Sequence, residues 1–366
     1  HWDISLRELA FQAIEAAQAD SGGIKPQALF VGNMLAPMIS GQAHLGALIA
    51  DFSGLRGIEA YTTEAAGASG GAALRAGYLA VKSGFVDSAL VVGVEKMTDR
   101  VGPEVDSAVA TSLDSDYEAV QGLTPVGQAA LLMRRYLHIY DLQHEVFSSF
   151  ALTAHANGAG NPNAMFRRAI NLDFYNRAGV ISEPLNMFDA APDADGAAAV
   201  ILTRSDLVPI QSGRPQIRIA GSAVATDTLA LHDRPELLDF RAARLSVERA
   251  RLQAKIRIDE IDFFELYDAY SIFAALSLEA AGFAERGRGW QTAQNGTAAL
   301  PILTMGGLKA RGNPWGATGV YQTVEAVLQL RCQSGDNQIP DAKWGMAQCF
   351  GGPASTAVTH IFERIA

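Results

Sequence analysis

The stretch Glu64-Ala65-Ala66-Gly67-Ala68-Ser69-Gly70-Gly71 decides how this chain folds. It follows a short strand pattern at Ile58–Thr62 and opens a mostly apolar helical pattern at Ala72–Lys82. Small residues at such a junction let the backbone approach a ligand or a second helix. The helix N-terminus also leaves unpaired N–H groups pointing outward. Ser88-Ala89-Leu90-Val91-Val92-Gly93 then supplies the continuous apolar run of a buried strand. A strand, a glycine turn, a helix and a further strand in this order are the rhythm of an α/β layer structure.

The rhythm extends in both directions. Upstream, Ser5 caps a helix over Ser5–Ala19 whose Leu6, Leu9, Ala10 and Ile14 share a face. A strand at Ala28–Val31 and a helix near Gln42–Ala50 follow. Downstream, residues 99–122 are polar and irregular and read as an excursion over the sheet. Helices are expected at Pro125–Tyr140 and Gln143–Gly158, a second excursion at Asn161–Pro184, and a strand at Ala197–Thr203. A second series then runs through strands Ile217–Ala223 and Ile261–Tyr267. Its helices are Ala242–Ala254, Ser271–Ala280 and Val320–Cys332, and a hairpin of Trp344–Phe350 with Ser355–Phe362 ends it. The expectation is an α/β protein of two related halves. Residues 1–210, with an inserted loop region at about 99–190, form the first, and residues 211–366 the second.

Composition excludes several classes. The 366 residues are 49% apolar and 19% charged, which suits a large core and a buried subunit interface rather than disorder. No uncharged apolar run reaches the ~18 residues a membrane span needs, and no signal peptide is visible, so the cytoplasm is the expected compartment. The net charge is −10 and the basic residues are scattered, without the stripe that nucleic acid requires. Cys332 and Cys349 make neither a disulfide framework nor a structural zinc site, and the histidines lack metal-ligand spacing.

Four loops concentrate the chemistry-bearing residues. The first is the Gly67–Gly71 turn with Ser69. The second, Leu266-Tyr267-Asp268-Ala269-Tyr270-Ser271, puts two tyrosines and a carboxylate at a strand end, where they could exchange protons with a carbonyl. Core aromatics with a helix-capping Asp are the alternative. The third runs from Gly306 through Gly307, Lys309, Arg311 and Asn313 to Gly319, with Tyr321 in the helix beyond. Its five glycines in 14 residues are costly in chain entropy and suit a loop that wraps a ligand. The fourth is Gln348-Cys349-Phe350-Gly351-Gly352, where Cys349 is either reactive or a buried inert thiol.

Together these strings resemble the thiolase superfamily, in its archaeal-type and lipid-transfer-protein-associated branch. Val92-Gly93-Val94-Glu95-Lys96-Met97-Thr98, Ala225–Asp233, Gly312-Asn313-Pro314-Trp315-Gly316-Ala317-Thr318-Gly319 and Cys349-Phe350-Gly351-Gly352 carry the likeness along nearly the whole chain. The resemblance implies five α-β-α-β-α layers, a first strand lying ahead of this chain, a homodimer and an acyl-CoA ligand. Coenzyme A would come with the substrate, with no tightly bound cofactor and no metal. Gly67, Ser69, Gly307, Lys309, Arg311 and Gly351 are the residues expected around the ligand.

The departures from the family pattern point to chemistry. Gly67 stands where a thiolase carries its acyl-accepting cysteine, Tyr267 where it places an oxyanion-hole Asn or His, and Asn313 at its Gly-His-Pro histidine; Cys349 is kept. Glycine forms no acyl-enzyme. The chain is similar to the steroid side-chain aldolases, which work with a DUF35-type, OB-fold partner. That likeness implies retro-aldol cleavage of a β-hydroxyacyl-CoA to a ketone, a steroid 17-ketone, and a short acyl-CoA such as propionyl-CoA. Tyr321 is assigned as base and Tyr267 as acid or oxyanion donor, the reverse staying open and Tyr270 competing. Asn313 and Cys349 would orient the thioester. The alternatives are an acyltransferase that uses Cys349 and a non-catalytic subunit of an acyl-CoA complex.

Overall fold

The computed structural model describes residues 1–208, 214–294 and 300–365, so the expected boundary between halves at 210/211 lies outside the described residues. The first half opens on α1 (Leu6–Asp20), whose cap Ser5 accepts from the Glu8 N–H while Glu8 accepts from the Ser5 N–H, a reciprocal capping box. Then come β1 (Ala28–Gly32), α2 (Ala36–Ile39), α3 (Leu45–Phe52), β2 (Glu59–Thr63), α4 (Ser69–Ser83) and β3 (Ser88–Glu95). The excursion carries α5 (Pro103–Ala110), α6 (Pro125–Tyr140), α7 (Ser148–Ala159), α8 (Leu172–Asn176) and a small hairpin of β4 (Val180–Ser182) and β5 (Leu185–Asn186). The half closes with β6 (Gly196–Thr203).

The second half comprises β7 (Gln216–Thr226), α9 (Arg241–Ala254), β8 (Phe263–Glu265), α10 (Ser271–Ala281), α11 (Gly289–Gln294), α12 (Gly307–Arg311), α13 (Thr318–Leu330), β9 (Trp344–Gly351) and β10 (Thr356–Ile365). Sheet order is β2-β1-β3-β6 in the first half and β7-β10-β9-β8 in the second. The trios β1-β3-β6 and β8-β9-β10 repeat one pattern, a parallel pair followed by an antiparallel strand. An isolated parallel bridge between Phe264 and Ile302 stands where β2 pairs with β1 in the other half. The duplication is therefore legible in hydrogen bonding although no sequence repeat is visible.

Five layers result. Helices α1 and α3 cover one face of the first sheet through Leu6, Leu9, Ile14, Leu45 and Ile49. Helices α4 and α13 lie between the two sheets, and α9 and α10 cover the outer face of the second. The central helices meet backbone to backbone. A Cβ on Gly319 would lie 2.2 Å from the Gly71 nitrogen, and one on Gly70 would lie 2.8 Å from the Gly316 carbonyl oxygen. Glu95, buried at the end of β3, accepts from the backbone N–H groups of Met34, Leu35 and Gly316 and from the Asn33 amide, tying the two halves together. Burial lifts its carboxyl to about 7 against those donors.

Two expected elements shift, with consequences for the site. The strand expected to reach Tyr267 stops at Glu265, because the Gln322 side chain takes the Glu265 and Leu266 carbonyls and Leu266–Tyr270 turns away. The last helix starts at Thr318 rather than Val320, which places Tyr321 beyond the first exposed N–H groups. Among the described residues no helix is long and apolar enough to cross a membrane. A groove of about 1800 Å³ runs between β6 and β7, and Asp193, Ala199, Ile217 and Tyr321 are among its walls.

The glycine contact yields a direct expectation. Gly319→Ala forces α4 and α13 apart and lowers the unfolding free energy by roughly 1–3 kcal/mol, the usual cost of overpacking. Urea denaturation checks it, and unchanged stability would mean that the two helices have slack.

Candidate active site

The turn between β2 and α4 is closed by Ser69, whose hydroxyl accepts from the Ala65 N–H at 2.9 Å and donates to the Ala66 carbonyl at 2.6 Å. Ser69 is thus a buried turn lock, and it holds Gly67 against the second half. A Cβ at Gly67 would meet the Tyr267 hydroxyl oxygen at 2.4 Å and the Phe350 carbonyl oxygen at 2.7 Å. The tyrosine hydroxyl therefore occupies the space that a side chain at position 67 would need. Gly351 permits the same approach from β9, since its Cβ would stand 2.5 Å from the Ala65 carbonyl oxygen.

Tyr267 and Tyr270 are both buried, and neither hydroxyl has a hydrogen-bond partner among the described residues. Burial pushes both phenols above the ordinary tyrosine value, with Tyr270, Cys349, Asp268 and Asp193 adding to the effect at Tyr267. Both groups are held protonated and are hydrogen-bond donors. Asn313 sits on the glycine loop, paired with Asp193. Its Oδ1 accepts from the Trp315 N–H at 3.1 Å and the Thr318 hydroxyl at 3.2 Å, and no hydrogen bond among the described residues uses its Nδ2. Cys349 packs its sulfur between Gly71 and Gly319, 3.8 Å from the Ala68 carbonyl oxygen, and burial pushes the thiol up to about 12.

Other expected residues take different positions. No hydrogen bond or ring contact among the described residues joins Tyr321, the expected base, to Tyr267 or Tyr270. Tyr321 packs with the core between the sheets, its hydroxyl faces Gly196 of β6, and the Arg311 guanidinium lies 4.9 Å over its ring. Burial also raises its phenol, so the helix end does not favour a phenolate. Lys309 and Arg311 were expected near an anionic ligand, yet both are buried with protein partners. The Lys309 ammonium donates to the Asp189 carbonyl oxygen at 2.5 Å and is brought down to about 8 by burial, and Arg311 pairs with Glu325 at 2.7 Å. The N–H groups of Leu308 and Lys309 are taken by Asp268, at 2.7 and 3.3 Å. Gly307, at φ +53°, leaves room for that carboxylate, 2.6 Å from where its Cβ would stand. The protein's own anion fills the position expected for an external one.

Two residues at the site escaped the sequence reading as chemistry. Asp193 receives the Trp315 indole N–H at 2.6 Å on Oδ1, and Trp315 itself sits in the glycine loop. The signal available was Pro192-Asp193-Ala194-Asp195, an acidic pair just ahead of β6. Among the described residues no group of three or more His, Cys, Asp or Glu is placed to hold a metal ion.

With this geometry in hand, comparison with known proteins is informative. Residues 1–206 match the family model of the thiolase N-terminal domain, and residues 223–364 that of the thiolase C-terminal domain-like family. An acetyl-CoA acetyltransferase of Methanothermobacter thermautotrophicus is 38% identical over 99% of this chain and 96% of its own. Sterol carrier protein 2 of Bos taurus is 27% identical over 84% of this chain and 59% of its own. Among solved structures, an Ltp2-ChsH2(DUF35) aldolase superposes with a TM-score of 0.82 at 23% identity, covering 99% of this chain and 93% of that one.

The two thiols are expected to differ in reactivity. In the native protein a haloacetamide labels exposed Cys332 and spares Cys349, whereas both react in denaturant. Mass spectrometry of the labelled peptides checks this, and native labelling of Cys349 would contradict the sealed environment described here.

Proposed function

The chain belongs to the thiolase family, and from that premise we propose that it is a carbon–carbon lyase that cleaves a β-hydroxyacyl-CoA by a retro-aldol reaction. The observation that carries this reading is the Tyr267 hydroxyl, standing where a nucleophile on residue 67 would have to be. A retro-aldol reaction needs no acyl-enzyme. A base takes the proton of the β-hydroxyl, the Cα–Cβ bond breaks to leave a ketone, and the bonding pair becomes a thioester enolate. An acid then protonates the α-carbon, and the short acyl-CoA departs.

The site supplies donors suited to the second half of that sequence. The free Nδ2 of Asn313 stabilises the enolate oxygen, and Tyr267 delivers the proton to carbon. A phenol kept protonated by burial is a poor base and a serviceable acid toward a strongly basic enolate. Cys349 shapes the wall without reacting. The acyltransferase reading is favoured by the name of the archaeal relative, but it would have to draw a thiolate from a sulfur pushed up to about 12 in a sealed position.

The likeness to the lipid-transfer branch and to the DUF35-containing aldolase supports a bulky polycyclic acyl tail, a steroid side chain, with a ketone and propionyl-CoA as products. It also supports a DUF35-type, OB-fold partner on a homodimer of this chain. These are carried from the relatives, and the internal chemistry does not depend on them.

Cleavage of a steroid β-hydroxyacyl-CoA with a DUF35-type protein present tests the proposal. Wild type forms ketone and acyl-CoA, and Tyr267→Phe lowers turnover by roughly 10²–10⁴, the usual worth of one acid or base. Thiolysis of a 3-ketoacyl-CoA through labelled Cys349, without lyase activity, would establish the acyltransferase instead.

A further inference from the structure

We propose that Asp193 is the general base of this site, taking the proton of the substrate's β-hydroxyl. The inference rests on the retro-aldol reading and offers it a base other than Tyr321.

The carboxylates near the glycine loop are nearly all engaged. Asp268 accepts the Leu308 and Lys309 N–H groups. Asp189 accepts from the Tyr175 hydroxyl at 2.8 Å and meets the His144 ring nitrogen at 2.5 Å. Asp195 accepts from the Lys96 ammonium at 3.0 Å and from the Thr98 N–H at 2.9 Å. Glu325 is paired with Arg311, and Glu265 accepts from the Thr304 N–H at 3.0 Å. Asp193 differs: one oxygen receives the Trp315 indole, and no hydrogen bond or ion pair among the described residues uses the other. Asp193 is itself exposed.

Its placement is fixed from both sides. The preceding residues are laced to the tyrosine turn, Ala190 bridging Tyr270 and the Ala191 N–H donating to the Ala269 carbonyl oxygen at 2.8 Å. Asp193 itself bridges Asn313, whose N–H donates to the Pro192 carbonyl oxygen at 2.8 Å and whose carbonyl accepts from the Ala194 N–H at 3.1 Å. The strand-like segment 190–194 therefore runs between the proposed acid and the amide donor. The indole bond holds one carboxylate oxygen and leaves the other for a ligand. The groups facing this carboxylate are Asp106 of α5, Trp315, and Tyr267 and Tyr270 of the turn. None is a cation, and desolvation with Asp106 raises its carboxyl against the indole bond.

The proton balance closes with these groups. The β-hydroxyl proton goes to Asp193, the Cα–Cβ pair passes to the enolate, and Tyr267 protonates the α-carbon. The proton on Asp193 then returns to the Tyr267 oxygen, with the Tyr270 hydroxyl between them as the available relay. No oxidant, metal or further reactant is required.

The test compares wild type, Asp193→Asn and Asp193→Glu in the full protein with its partner, with thermal unfolding as the folding control. Two reactions are followed: cleavage of the β-hydroxyacyl-CoA, and exchange of the α-hydrogens of the product acyl-CoA in heavy water. Asp193→Asn retains the indole bond, folds and loses cleavage by roughly 10²–10⁴, and exchange falls with it, because Tyr267 can take a carbon proton only after passing its own to Asp193. Asp193→Glu recovers part of the cleavage. Wild-type cleavage falls as pH drops through the raised Asp193 value, and the residual activity of Asp193→Asn lacks that acid limb. Near-normal cleavage or near-normal exchange by Asp193→Asn would overturn the assignment while leaving the lyase reading standing. A wild type that neither cleaves nor exchanges would overturn both.

Discussion

The constraint on which the site depends is the contact of two helices through bare backbone. Gly70 and Gly71 of α4 lie against Gly316 and Gly319, where a single methyl group would collide with main-chain atoms. That approach sets the spacing of the two sheets. It brings the turn at Gly67, at the start of α4, beside the Leu266–Tyr270 turn and the Gln348–Gly351 strand end of the other half. Residues 67, 267 and 349, distant in sequence, share one site because the backbones of these helices approach so closely. Glu95 reinforces the joint by accepting N–H groups from both halves through one buried carboxylate.

This explains why the fold was legible in the sequence and the site only in part. Strand–helix alternation, the glycine pairs and the Ser5 cap are local signals, and each element they mark is present within a few residues. The short helices α8, α11 and α12 carry too few turns to show a period and were not foreseen. Tyr267 closes on Gly67 and Cys349 on Gly71, whereas Tyr321 faces Gly196, because one position along α13 is a turn of about 100°. Gln322 faces the β8–β9 carbonyls, so Tyr321 is carried round toward β6. A residue's distance from a motif along a helix says little about its direction until the helix start is known, and here it lies two residues earlier than expected.

Charge followed a similar logic. Lys309 and Arg311 in a glycine-rich loop suggest capture of an anion, but loops of this kind also have to satisfy their own N–H groups when buried. Asp268 meets that need from within, and the two cations end on Asp189 and Glu325. Asp193 was overlooked for the opposite reason. An acid just before a strand reads as an ordinary turn residue, and only the fold reveals that Trp315 reaches back across 122 positions to hold it.

Desolvation selects among the neighbours at this site. It favours the neutral form of every acid it encloses. For a thiol that is disabling, since the thiolate is the nucleophile, and Cys349 is accordingly a poor acyl acceptor. For a phenol asked to protonate an enolate, the neutral form is the working one. A carboxylate between these extremes, raised yet reachable, is suited to accept a hydroxyl proton and give it back. Replacing the side chain at position 67 by glycine and filling its space with the Tyr267 hydroxyl therefore does more than delete a nucleophile. It puts an acid where a nucleophile would stand, in surroundings that already suppress thiolate chemistry, and leaves Asp193 as the nearby group whose free oxygen can act as a base.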